Sequence, residues 1–173
     1  MTPLERARKL FLRFAGALDR MTSFACMAAL AVLTVVVLTV VVLRYGFAAG
    51  SIALQDLANY AFAVFLALSV PACLARGGHV RVEVFSEMLS PSYLRRADFV
   101  ALVLFLVPVF GLVIWANWPD LRYSWSIRET SVETGGLGGL FLVKTALPVS
   151  AALMIVQGIA AALRSGAGES AGQ

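Results

Sequence analysis

The sequence predicts an all-α integral membrane protein: four transmembrane helices, short interfacial amphipathic helices, and both termini in the cytoplasm. Three observations carry that prediction. Four apolar stretches without Asp, Glu, Lys or Arg, at residues 21–43, 57–75, 99–118 and 145–163, are each 19–23 residues long, and about 20 residues of helix cross a hydrocarbon core of about 30 Å. Hydrophobic residues make up 60% of the 173 and charged ones only 14%, against about 45–50% and about 25% in soluble domains. The basic residues are also sorted by connector. Ten of the fourteen (Arg6, Arg8, Lys9, Arg13, Arg20, Arg76, Arg81, Arg95, Arg96, Arg164) fall before the first stretch, between the second and third, or after the last. Only Arg44, Arg122, Arg128 and Lys144 fall on the other side, a positive-inside bias that places the termini in the cytoplasm.

A pI near 9.5 would fit a nucleic-acid binder, but charges ordered by topology point to a bilayer and to no nucleic acid. The whole chain reads as a single four-helix membrane domain, residues 1–173. Residues 4–20 form an amphipathic segment: Leu4, Ala7, Phe11, Phe14 and Leu18 recur at helical spacing, with Arg6, Arg13 and Arg20 on another face. Such a segment suits the cytoplasmic membrane surface, where it could brace a partner, or it serves only as a charged leader that sets topology. The apolar run that follows is too long for a signal-peptide core and has no small-x-small cleavage site at its end, so it reads as a span. Its second half, 31–43, is apolar all the way round, with only Thr34 and Thr39 bearing hydroxyls; a soluble bundle would place polar residues on an outer face.

The first connector, Arg44 to Asp56, turns at Gly46, Gly50 and Ser51 on the outer side. Arg44 closes the first span and Asp56 opens the second at its helix N-terminus, so the two are expected to pair with each other or with a partner. The second span stops at Arg76-Gly77-Gly78. His79 to Leu89 alternates like a strand at Val80, Val82 and Val84, yet Val82, Phe85 and Leu89 also fit a helix; because a lone strand at a bilayer leaves backbone groups unpaired, a short interfacial helix is expected. Ser90-Pro91 caps the helix that leads into the third span. Pro108 and Gly111 mark a kink there. Trp115, Trp118, Tyr123 and Trp125 form an interfacial aromatic belt, and Gly135 to Gly139 reads as a flexible hinge or loop. Cys26 and Cys73 are expected as small packing residues near the inner edge.

No catalytic constellation or metal framework emerges. One His and two scattered Cys cannot build a site, no pair of intramembrane histidines is available for haem, and no span carries the buried carboxylate of an autonomous ion-coupled transporter. Lys144 lies close enough to the outer edge to snorkel. The expectation is a non-enzyme without cofactors that works through its surfaces.

The residues that stand out carry a family resemblance: Arg44-Tyr45-x-Phe47; Gln55-Asp56-Leu57 followed by Tyr60; Gly78-His79-Val80-Arg81-Val82-Glu83; and Leu147-Pro148-Val149-Ser150 with Leu153-Met154. In these, and in their order across four spans, the chain resembles the small permease subunit of the tripartite ATP-independent periplasmic (TRAP) transporters, the DctQ-like family. It departs at Leu54-Gln55-Asp56, where that family usually has an acidic pair, often after a tryptophan. The resemblance implies a heteromeric sodium-coupled importer in a bacterial inner membrane, taking up an organic acid. In it this chain would scaffold a large permease subunit and help dock a periplasmic solute-binding protein. Arg44, Tyr45, Gln55, Asp56, Tyr60, His79, Arg81, Glu83 and Pro148 would be the partner-binding residues. The alternative of a different class is a cofactor-free membrane anchor or assembly subunit of a redox complex.

Overall fold

The computed structural model describes residues 3–76, 97 and 99–165, the side chains of Leu4 and Ser165 excepted. Within them lie four helices: α1 (Pro3–Gly46), α2 (Ile52–Ala75), α3 (Phe99–Ile127) and α4 (Leu140–Arg164). All four are long and apolar enough to cross a membrane. No strand occurs among the described residues, where only an isolated bridge joins Thr130 and Gly138. α4 is the hub, packing on α1, α2 and α3, while α2 also lies along α1.

α1 runs through 44 residues, about 66 Å at 1.5 Å per residue. The amphipathic segment 4–20 is therefore not a separate element: the helix continues through Arg20 and Met21 without interruption. The reason is a second anchor. Ala15 is fully buried, its carbonyl accepts a hydrogen bond from Gln157 Nε2 at 2.9 Å, and Arg8 Nη2 donates to the Leu163 carbonyl at 2.8 Å. This half of α1 packs along the end of α4. Further on, Thr34 and Thr39 donate to the Leu30 and Val35 carbonyls, at 2.9 Å and 2.8 Å. Their hydroxyls are satisfied within the helix, and its surface stays apolar all round.

Two of the prolines inside the helices have a compensation of their own. Pro71 has no N–H for the carbonyl four residues back, that of Ala67; the Ser150 hydroxyl of α4 donates to that carbonyl instead. Pro108 is preceded by a π-helical turn at Leu102–Leu106, closed by the Val107 N–H on the Leu102 carbonyl. The wider turn takes up the collision that a proline ring makes with the preceding turn, so the irregularity expected near Pro108 lies just before it. α3 then meets α4 at Gly158, where a Cβ would stand 3.0 Å from the ends of Leu102 and Leu106. With Ala61, Ala72, Ala151 and Ala160 buried elsewhere, small residues let these helices approach closely. Large apolar side chains instead cover the outside: Leu38 is 60% exposed and Leu104 64%. Such a surface calls for lipid or a protein partner rather than water.

Candidate functional site

The densest polar arrangement lies where the α1–α2 connector meets the α3–α4 loop. α2 begins at Ile52, and its N-cap is Ser51, whose side chain accepts the Leu54 N–H at 3.4 Å. Asp56 consequently stands one turn inside the helix, buried, and does not serve as its first-turn carboxylate. Tyr60 follows one turn later, on the same face. Both side chains reach a single residue of the α3–α4 loop: Asp56 Oδ2 accepts the Leu137 N–H at 2.9 Å, and the Tyr60 hydroxyl donates to the Leu137 carbonyl at 3.0 Å.

The loop is built to present that backbone. α3 ends with Arg128 in the left-handed region (φ 48°), and the Glu129 N–H closes on the Ser124 carbonyl at 3.0 Å. Ser131 N–H then bonds the Leu137 carbonyl at 3.0 Å, and Gly136 N–H the Glu133 carbonyl at 2.9 Å. Gly135 and Gly139 take φ of +82° and +96°, a region that side-chain-bearing residues avoid. Gly136 has a different task. A Cβ on it would fall 2.5 Å from Asp56 Oδ2 and 2.5 Å from Ser131 Cβ, so only glycine allows the loop this close to the carboxylate. The expected flexible hinge is a folded loop whose glycines are fixed by geometry.

An ion-pair triad closes the other side of the loop. Lys144 Nζ lies 2.7 Å from Glu129 and 3.1 Å from Asp120, tying α4 to the loop and to α3. Lys144, with Ser124 after it, holds the Glu129 carboxyl below the usual range. Beside the triad, Trp125 Nε1 donates to Thr145 at 3.0 Å and its ring meets Phe141 edge-on at 4.8 Å. Trp115, Trp118 and Tyr123 remain exposed, as a belt at a membrane interface would be.

The candidate residues therefore separate. Asp56 and Tyr60 are brought together on the loop. Arg44 is exposed at the end of α1, and its expected pairing with Asp56 is not made: no ion pair joins the two, because the carboxylate is turned to the Leu137 amide. Arg44 and Gln55 instead line an open recess of about 470 Å³ with Ser51 and Gly50, and Tyr45 projects beside it, 83% exposed. Pro148 is buried inside α4. His79, Arg81 and Glu83 lie outside the described residues.

At the opposite end of the bundle, Arg76 donates to the Ser23 hydroxyl, which in turn contacts Asp19 at 3.4 Å. Arg164 Nη1 donates to the Ala75 carbonyl at 3.0 Å. Gln157 is 2% exposed, and its Oε1 has no partner among the described residues. Sequence reasoning passed over Gln157, though a lone amide within nineteen apolar residues is a visible signal. It also left Lys144 to snorkel, when a lysine at a span's edge with acids in the preceding connector suggests an ion pair. Among the described residues no three His, Cys, Asp or Glu side chains gather as a metal ion would need. What the arrangement can do is rigidify and present surfaces.

A family model described as the DctQ component of the tripartite ATP-independent periplasmic transporters matches residues 33–167. A search of curated proteins returned no match to the chain.

Proposed function

The chain belongs to the DctQ family, the small component of the tripartite ATP-independent periplasmic transporters, and from that premise we propose that it is the membrane scaffold of a sodium-coupled importer. In this reading it sits in the bacterial inner membrane with both termini cytoplasmic, supports a large permease subunit that carries the sodium and substrate sites, and helps to dock a periplasmic solute-binding protein. An organic acid is the proposed cargo. The chain itself performs no chemistry.

The observation that carries this reading is the contrast between the outside and the interior of the bundle. Among the described residues its interior is filled largely with small residues and backbone-directed hydrogen bonds. Its exterior offers long apolar faces on α1 and α3 and a braced loop at one end. The α1 face, with Val35, Leu38 and Val42 more than half exposed, is the proposed seat of the large subunit, and packing of that kind drives helix association in lipid. The α3–α4 loop, held by Asp56, Tyr60 and Lys144, is the proposed contact for the binding protein. Its Val132 is 94% exposed.

Co-purification tests the scaffold. A tagged chain is expected to retain the large subunit through detergent extraction, and large polar substitutions at Val35 and Leu38 to release it. Retention unchanged by those substitutions would move the seat to another face.

A further inference from the structure

Between α3, α4 and the end of α2 lies an apolar cleft of about 420 Å³, lined by Leu74, Leu102, Phe105, Val109, Phe110 and Gly158 among others. On α3 its lining runs from Ala101 to Phe110, about 14 Å along the helix axis at 1.5 Å per residue. The π-helical turn falls within that stretch, a distortion that is frequent at functional sites. The contact at Gly158 closes the floor of the cleft, since Leu102 and Leu106 abut α4 there. Phe105 and Val109 stay more than half exposed on its flank.

One end of the cleft is basic. Leu74 lines it, and the next carbonyl, that of Ala75, is where Arg164 anchors one guanidinium nitrogen. Arg76 follows directly and spends a nitrogen on Ser23. Both arginines are exposed, and neither forms an ion pair with a carboxylate among the described residues. A guanidinium has five N–H donors, so each keeps donors beyond the one bonded to the chain's own oxygen.

We propose that this cleft is a binding site for one anionic phospholipid, with an acyl chain lying along α3 between Phe105 and Gly158 and the phosphate on Arg76 and Arg164. The shape favours a tail: the cleft is long, apolar and parallel to a spanning helix. The charge favours an anionic lipid over a zwitterionic one, because basic groups at a membrane edge attract anionic headgroups. A protein side chain from the large subunit is the competing occupant, and it has no need of the two exposed arginines.

Native mass spectrometry of the detergent-purified full chain tests the site, using phosphatidylglycerol and phosphatidylcholine with identical tails. The wild-type chain is expected to hold one phosphatidylglycerol with a several-fold preference over phosphatidylcholine. Arg76→Ala with Arg164→Ala should remove the preference, while Arg76→Lys with Arg164→Lys should keep most of it. Ala101→Phe, which puts a large side chain at a position that lines the cleft and leaves both arginines in place, should reduce retention of both lipids, with helix content checked by circular dichroism. Equal retention of the two lipids by the wild-type chain would overturn the proposal, as would retention unchanged by Ala101→Phe. In a parallel co-purification with the large subunit, loss of that subunit in Ala101→Phe without any loss of bound lipid would overturn the proposal and assign the cleft to the protein partner.

Discussion

Asp56 Oδ2 accepts the backbone N–H of Leu137 at 2.9 Å, so a buried carboxylate in α2 holds a loop 81 residues further along the chain. Tyr60, one turn on, holds the carbonyl of the same residue. The conformation of the α3–α4 loop thereby depends on α2. Removing the acceptor should be costly, up to the about 1–3 kcal/mol of an orphaned buried amide, since the Leu137 N–H is part-buried. Asp56→Ala is expected to lower the thermal midpoint and open the loop to proteolysis near Gly135. Asp56→Asn, which keeps an acceptor oxygen, should do so much less. Equal behaviour of the two variants would show that the hydrogen bond is not what holds the loop.

The loop glycines make a sharper contrast. Gly136→Ala places a Cβ 2.5 Å from both Asp56 and Ser131, and overpacking of this kind costs about 1–3 kcal/mol. Gly138→Ala meets nothing nearer than Thr130 Cγ2 at 3.9 Å and should be close to neutral. Thermal unfolding of the two variants in the same detergent decides it.

Asp56 does not pair with Arg44, and the exchange Arg44→Asp with Asp56→Arg is therefore expected to be no better than Asp56→Arg alone. An arginine at position 56 cannot accept the Leu137 amide, whatever stands at position 44. Complex assembly, scored by co-purification of the large subunit, is the readout; rescue by the double exchange would restore the direct pairing.

Acid should loosen the same region through Glu129. Its carboxyl lies below the usual range because Lys144, and after it Ser124, stabilise the charged form. A depressed carboxyl stabilises the fold fully above its unfolded value, about pH 4.3, and loses that contribution as pH falls through the lower folded value. Glu129→Gln should flatten this acid limb of the thermal stability profile while leaving other acid transitions in place. An unchanged limb in the variant would assign it to another carboxylate.

The apolar stretches made the four helices legible, because lipid demands long runs without charge. The helices nonetheless run further than those stretches. α1 absorbs residues 4–20 because Ala15 and Arg8 bind α4, a contact between chain ends that no local pattern reveals. Asp56 and Tyr60 could be singled out from sequence, but their target could not: it is a backbone group of Leu137, and peptide groups leave no mark in side-chain patterning. Gly135 to Gly139 suggested flexibility by composition, whereas two positive φ angles and the approach to Asp56 fix them. Lys144 is visible as the charge just before the last stretch, yet its two acids lie 24 and 15 residues earlier, joined to it only by the fold.

In the proposed role this chain supports transport without conducting it. Uptake into proteoliposomes with an imposed sodium gradient tests it most directly, using the large subunit and binding protein with and without this chain, and this chain alone. Uptake is expected only when all three proteins are present. Full uptake without this chain, or transport by this chain alone, would contradict it.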